Sequence, residues 1–142
     1  MVSEKRTGDV LVDVKVDIRI VLAALWVAHF LLWTFGDMMS LLQQKHEPID
    51  STVILIIAPT TATVQALMML LCLVGPVKLV RTVNLIVAPV FLLFNIGYMG
   101  EPDAEVWNYY LGVVYLLFSA MIFWHAWKWP TVEGAGSSEA GQ

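Results

Sequence analysis

The sequence predicts an all-α fold, a four-helix transmembrane bundle with both termini in the cytoplasm. Three observations predict it: an apolar composition, four long apolar stretches, and basic residues gathered on one side of the spans. The 142-residue chain is 58% hydrophobic and 14% charged, with a mean hydropathy of +0.73, whereas soluble domains are about 45–50% apolar and about 25% charged. This composition excludes a soluble enzyme, a nucleic-acid-binding module and a disordered protein.

Four apolar stretches are long enough to cross a bilayer, whose hydrocarbon core of about 30 Å needs about 20 helical residues. Because lipid cannot satisfy backbone polar groups, each stretch is predicted to be a helix. The predicted spans are Ile18 to about Leu42, Thr52 to Val74, about Leu79 to Met99, and Val106 to Trp129. Turn-forming or charged residues separate them at Gln43 to Ser51, Gly75-Pro76 and Gly100 to Asp103.

Two terminal segments flank this transmembrane domain, which is assigned to residues 18–130. Residues 1–17 are predicted to be cytoplasmic or interfacial. Apolar and charged residues alternate from Val10 to Ile20, a period typical of a strand. Because a strand here would have no predicted partner, we favour an amphipathic segment that lies on the inner membrane surface. The alternative is that Asp17 caps the first helix. Residues 131–142 are rich in Gly, Ser, Ala and Glu and are predicted to be disordered.

The basic residues predict the orientation of the spans. All but one of the 8 Lys and Arg residues lie on the side of the two termini, and the exception is Lys45 in the first loop. Basic residues near spans are retained in the cytoplasm. We therefore expect one fixed orientation, unlike small exporters and fluoride channels built from oppositely inserted copies.

Aromatic residues mark both ends of the fourth span. Trp107, which precedes a Tyr pair, opens the span, and Trp124, Trp127 and Trp129 close it. Trp and Tyr favour the headgroup depth of a bilayer. We interpret these tryptophans as interfacial anchors, with an aromatic-lined ligand slot as the alternative.

Polar residues inside the spans are the candidate functional residues, because they are costly in lipid and usually face protein or a water-filled cavity. The candidate intramembrane polar site consists of His29, Asp37, Gln65, Asn95 and Tyr98. Counting residues from the span ends places them in two levels. The central level combines His29, Thr61 and Gln65; the outer level combines Asp37, Asn95, Tyr98 and Asn108.

Each candidate has a structural and a functional interpretation. Asp37 is either a solvated or paired interfacial carboxylate or a proton- or cation-binding group at the bundle mouth, and Gly36 beside it would let another helix approach. His29 is either a hydrogen-bonded core histidine or a proton relay, since imidazole titrates near physiological pH. Gln65 and Asn95 are most simply interhelical hydrogen-bonding groups. Pro59 is expected to kink the second helix near its middle.

The residue types argue against an enzyme and against a bound cofactor. The single cysteine, Cys72, cannot form the thiol pair of a quinone-linked oxidoreductase. His29 and His125 are offset by roughly 10 Å along the bundle, which is too far for the two axial ligands of one haem. The sequence has no metal-ligand spacing, catalytic triad pattern or phosphate-binding glycine loop. We predict no cofactor and no metal.

Five segments of the sequence carry a resemblance to other proteins: Asp13 to Arg19, Leu22 to Trp26, Phe35 to Asp37, Arg81 to Ile86 and Trp124 to Pro130. Together they resemble a family of small bacterial four-span membrane proteins of unknown function. The resemblance implies a four-helix bundle in the bacterial inner membrane, distantly similar to DoxX-like proteins. It implies no established activity.

Two classes of function follow from the sequence. The favoured class is a structural or accessory component of a membrane complex. Its expected partners are the lipid bilayer and either further copies of the chain or a larger membrane complex, and no nucleic acid is expected to bind. The alternative is a small transporter or channel subunit that uses Asp37 and His29, and a pore would then require oligomerisation. A redox accessory role rests only on the DoxX-like resemblance.

Overall fold

The computed structural model describes residues 15–42, 52–100 and 105–129, which form four long helices. The helices are α1 (Ile18–Leu42), α2 (Ala58–Val74), α3 (Val77–Met99) and α4 (Val106–Trp127), and a π-helical turn (Val53–Ile57) precedes α2. Within these ranges there is no strand. Each span is long and apolar enough to cross a membrane. The predicted all-α, multi-pass architecture is confirmed, with α3 beginning two residues earlier and α4 ending two residues earlier than expected.

Asp17 caps the first turn of α1. Its carboxylate accepts a hydrogen bond from the Arg19 backbone N–H at 2.8 Å, and its carbonyl accepts from the N–H groups of Ile20 and Val21. An acidic cap satisfies donors that have no partner within the helix. The capping interpretation of Asp17 is confirmed; residues 1–14 and the predicted disordered tail, 131–142, lie outside the described residues.

Pro59 lies in the first turn of α2 instead of near the middle of the helix, where a kink was expected. Proline has no N–H and cannot complete the helical ladder, and a π-helical turn lies just before it. The Thr61 hydroxyl donates to the carbonyls of Ile57 and Ala58, both at 3.0 Å, and the Thr63 hydroxyl donates to the Pro59 carbonyl at 2.7 Å. These side chains add donors to a backbone that lipid could not satisfy.

Basic side chains tie the helix ends together at one end of the bundle, which we call the basic end. The Arg19 guanidinium donates to the Gly75 carbonyl at 2.7 Å, joining the start of α1 to the turn between α2 and α3. Arg81 donates to the carbonyls of Ala126 and Trp127 at the end of α4. Cationic side chains interact favourably with these carbonyls, because helix C-termini carry unsatisfied acceptors and partial negative charge.

The helices are packed in the order α2, α1, α4, α3. Helix α4 contacts both α1 and α3, whereas α2 and α3 contact each other only sparsely, although they are consecutive in the chain. The apolar core fills the half of the bundle nearer the basic end; its buried members are Leu22, Ala23, Leu25, Trp26, Met68, Cys72, Val80, Ala88, Phe91 and Ile122. We call the opposite half the distal half; it contains the end of α1, the start of α2, the end of α3 and the start of α4.

Candidate functional site

Each helix contributes one buried polar side chain to a hydrogen-bonded group at the centre of the bundle. We call this group the central cluster; its members are His29 of α1, Gln65 of α2, Asn95 of α3 and Ser119 of α4, each at most 1% exposed. Polar groups that are removed from water are costly unless they are hydrogen-bonded. The central cluster meets this requirement with contacts among all four helices.

The His29 ring makes hydrogen bonds through both of its nitrogens. Nδ1 lies 2.7 Å from Gln65 Oε1, which can only accept, so Nδ1 carries the proton. Nε2 then accepts, with the Asn95 amide nitrogen at 3.3 Å and the Ser119 hydroxyl at 3.5 Å. The Asn95 amide nitrogen also lies 3.3 Å from the Ser119 hydroxyl. The hydrogen-bonding capacity of the ring is thus used within the bundle.

Aromatic rings enclose His29 and fix its orientation. Phe91 and Tyr115 lie 5.5 and 5.7 Å from its ring centroid, and Trp26 lies at 5.9 Å. Trp33 stacks on the imidazole at 6.1 Å and donates its indole N–H to the Asn95 side-chain oxygen at 3.2 Å. Because these rings surround it, the imidazole contacts protein atoms and not solvent.

A second buried polar contact lies between the central cluster and the basic end. The Trp26 indole donates to the Asn84 side-chain oxygen at 2.8 Å. The Asn84 amide nitrogen donates to the Val80 carbonyl at 2.8 Å and to Cys72 Sγ at 3.5 Å. This contact links α1, α2 and α3 and keeps the Trp26 indole, which is fully buried, hydrogen-bonded.

The distal half of the bundle contains a partly open cavity of about 420 Å³, which we call the distal cleft. All four spans contribute to its lining, which consists of Trp33, Gly36, Asp37, Ile57, Ala58, Phe94, Gly97, Tyr98 and Tyr115. Small-molecule sites typically have volumes of about 300–1,000 Å³. The distal cleft therefore has the size of a ligand pocket.

Four aromatic rings form a continuous aromatic wall along the distal cleft. Trp33 contacts Phe94 at a centroid distance of 5.4 Å and Tyr115 at 5.9 Å, and Tyr115 lies 6.3 Å from Tyr98. The Tyr115 hydroxyl donates to the Leu32 carbonyl at 2.9 Å. A Cβ atom at Gly36 would lie only 2.6 Å from the Tyr115 hydroxyl oxygen. Gly36 therefore permits the approach of another helix, as the sequence suggested.

Asp37 gives the distal cleft its negative charge. Its side chain is exposed at the cleft, and no described residue donates a hydrogen bond to its carboxylate. Of the described residues that line the cleft, Asp37 is the one acidic residue, and none is basic. The cleft thus combines apolar aromatic surface with a carboxylate that is available to a ligand.

The structure divides the predicted site residues between these two features. His29, Gln65 and Asn95 meet in the central cluster, while Asp37 and Tyr98 line the distal cleft. Trp33 connects the features, because it lines the cleft and stacks on His29.

Two polar residues lie elsewhere than their predicted levels suggested, and a third does not join the group predicted for it. Asn95 belongs to the central cluster instead of the outer level, and Thr61 bonds to its own helix backbone instead of His29. Asn108 is buried but does not line the cleft, and its side-chain oxygen has no hydrogen-bond partner among the described residues. Depth counted from helix ends neglects helix tilt and the reach of side chains, which accounts for these differences.

The sequence reasoning missed Tyr115 as a member of the site and did not connect Ser119 to His29. Tyr115 and Ser119 are four residues apart, and Asn108 precedes Tyr115 by seven, so all three share one face of α4. That spacing is the signal that could have identified this face as the one turned toward the other helices.

The tryptophans of α4 differ in their surroundings. Trp124 and Trp127 are exposed, and the Lys128 ammonium lies 4.1 Å from the Trp124 ring centroid. Trp107 is half-buried and donates to a carboxylate oxygen of Glu105 at 2.9 Å. Trp129 packs against the apolar core. Trp129 therefore packs inside the bundle, in addition to marking the end of the fourth span.

Neither metal-binding groups among the described residues nor similar proteins point to a particular chemistry. Within residues 15–42, 52–100 and 105–129, no group of three or more His, Cys, Asp or Glu side chains could hold a metal ion. No protein-family model, curated protein or solved structure matches the chain. The case for a function therefore depends on the geometry of the central cluster and the distal cleft.

Proposed function

We propose that this multi-pass protein is a structural or accessory component of a membrane complex, inserted with both termini in the cytoplasm. The observation that carries the proposal is the central cluster. It places hydrogen-bonded side chains from all four helices at the bundle centre, each at most 1% exposed. A conduit through a single copy would instead turn such groups toward a water-filled path.

The hydrogen bonds of the central cluster suit a packing role. Interhelical hydrogen bonds in membranes contribute about 0.6–2 kcal/mol each and fix which helix faces meet. Helix α2 depends on them because it packs mainly against α1. Its apolar side chains, including Leu67, Leu70 and Leu73, are more than half exposed. This surface supports a role in which α2 contacts lipid or a helix of a partner.

Site-specific photo-crosslinking tests the accessory role. A photoreactive amino acid at Leu70 of α2 should give a discrete crosslinked product in native membranes. The matched control is Leu117 of α4, which is similarly exposed but belongs to the helix that already has two neighbours. Equal, diffuse crosslinking to lipid at both positions, with repeated recovery of the free protein after mild extraction, would overturn the proposal.

The orientation has a separate test. Contacts of Arg19 and Arg81 gather the basic groups at one end of the bundle, and such groups are retained in the cytoplasm. A topology reporter fused after residue 130 should read as cytoplasmic, and one inserted within residues 43–51 should read as external. The reversed pattern would contradict the orientation. The resemblance of the sequence to bacterial four-span proteins supports the inner membrane as the location.

A small transporter or channel subunit is a second candidate, favoured by the position of Trp33. Trp33 joins Asp37 in the distal cleft to His29 in the central cluster. If this route carries protons or cations, Asp37→Asn and His29→Ala should abolish a pH-dependent flux in proteoliposomes. Glu105→Gln removes a carboxylate outside the cleft and should leave the flux intact. Unchanged flux in the first two variants would exclude this candidate.

A further inference from the structure

We propose that the distal cleft binds a small lipophilic organic cation, such as a quaternary ammonium group that carries an apolar substituent. This inference does not depend on the accessory role, since it concerns the cleft alone. It follows from three properties of the lining formed by the described residues: one carboxylate, a continuous aromatic wall, and open space at Gly97.

The charge of the lining selects a cation. Asp37 is the acidic residue that lines the cleft, no described basic residue lines it, and no described donor bonds to its carboxylate. A cation would pair with this carboxylate, whereas an anion would meet repulsion and find no compensating positive group on the described lining.

The aromatic wall selects a cation that is weakly hydrated and partly apolar. Aromatic faces attract cations that lie within about 6 Å of the ring centroid, and quaternary ammonium groups are the ligands most typical of such sites. Trp33, Phe94 and Tyr115 form adjoining parts of the wall. A strongly hydrated inorganic ion would gain little from this surface.

Gly97 leaves open space in the lining of the cleft, and a larger side chain at this position would block the site. Gly97 lines the cleft, and a Cβ atom added there would meet no other atom within 4 Å. Helices α2 and α3 contact each other only sparsely. Because Gly97 lines the cleft, a larger side chain there has room to occupy part of the cleft without displacing the packed helices.

Equilibrium binding to the full-length protein in lipid nanodiscs tests the proposal. The probe is radiolabelled phenyltrimethylammonium, and binding to empty nanodiscs is subtracted. We expect saturable binding that Asp37→Asn weakens by about tenfold or more, the effect of losing about 1.4 kcal/mol or more from a charge pair. Asp37→Glu should retain binding. Glu105→Gln, which removes a carboxylate outside the cleft, should leave binding unchanged.

A blocking variant and a neutral competitor complete the test. Gly97→Leu should abolish binding, while Ala24→Leu, at an exposed position outside the cleft, should not. tert-Butylbenzene has the shape of the probe without its charge and should compete poorly. Absence of saturable binding, equal binding by Asp37→Asn and Glu105→Gln, or equal competition by the neutral compound would each overturn the proposal. Thermal unfolding of each variant shows that it remains folded.

Discussion

His29 Nδ1 lies 2.7 Å from Gln65 Oε1, and this hydrogen bond joins α1 to α2 where neither side chain is more than 1% exposed. Helix α2 contacts α3 only sparsely, so its position depends largely on α1. Apolar contacts between two helices tolerate some rotation, whereas a buried hydrogen bond requires particular side chains to face each other. We therefore regard the His29–Gln65 bond as the contact that sets the rotation of α2.

Replacement of His29 by alanine should destabilise the protein by about 2–4 kcal/mol, because the change leaves a cavity and removes the partner of Gln65 and Asn95. Unfolding in mixed micelles, followed by tryptophan fluorescence, measures this loss. The matched control is His125→Ala. Among the described residues, the one hydrogen-bond partner of His125 is the Met121 carbonyl of its own helix, so its replacement should change stability by less than about 0.5 kcal/mol. Equal effects of the two changes would contradict the role of the central cluster.

The contact between Trp26 and Asn84 predicts a second loss of stability. Asn84→Ala removes the acceptor of the fully buried Trp26 indole N–H and should cost about 1–3 kcal/mol. Ser40→Ala is the control, since the partner of the Ser40 hydroxyl among the described residues is the Gly36 carbonyl within α1. The same unfolding assay measures both variants, and a loss no larger than that of Ser40→Ala would argue against this contact.

The two glycines of the distal cleft should respond in opposite directions to alanine. Gly36→Ala places Cβ about 2.6 Å from the Tyr115 hydroxyl oxygen and should destabilise the bundle by about 1–3 kcal/mol through overpacking. Gly97→Ala meets open space and should be neutral or stabilise the helix by up to about 1 kcal/mol. Thermal unfolding distinguishes these outcomes.

A double variant identifies the cause of the Gly36 effect. Tyr115→Phe removes the hydroxyl that a Cβ atom at Gly36 would contact, so it should recover part of the stability lost in Gly36→Ala. If the two losses simply add, the clash with Tyr115 is not the cause.

The sequence was sufficient for the architecture, because the length of an apolar stretch and its flanking charges determine where a span begins and ends. Helix α1 matches its predicted bounds, Ile18–Leu42, and Gln65 and Asn95 were assigned as hydrogen-bonding groups between helices. The pairing of these groups was harder to predict. It depends on helix rotation and tilt, which residue counting does not provide.

The distal cleft illustrates the same limit. The sequence places Asp37 and Tyr98 near the outer boundary, but the cleft itself requires side chains from all four spans to meet, while α2 and α3 contact each other only sparsely. Consecutive helices joined by a short turn usually pack side by side. Here the buried bonds of His29 and Trp26 connect α1 to both helices, and a single sequence offers no direct sign of that arrangement.

Labelling of single cysteines with a water-soluble maleimide tests most directly the claim that the central cluster closes the middle of the bundle. In a Cys72→Ala background, Ser119→Cys places a thiol in the central cluster and Asp37→Cys places one in the distal cleft. We expect rapid labelling at residue 37 and protection at residue 119 until the protein is unfolded. Labelling of residue 119 in the folded protein at the rate seen for residue 37 would show that water reaches the centre, and would contradict the claim.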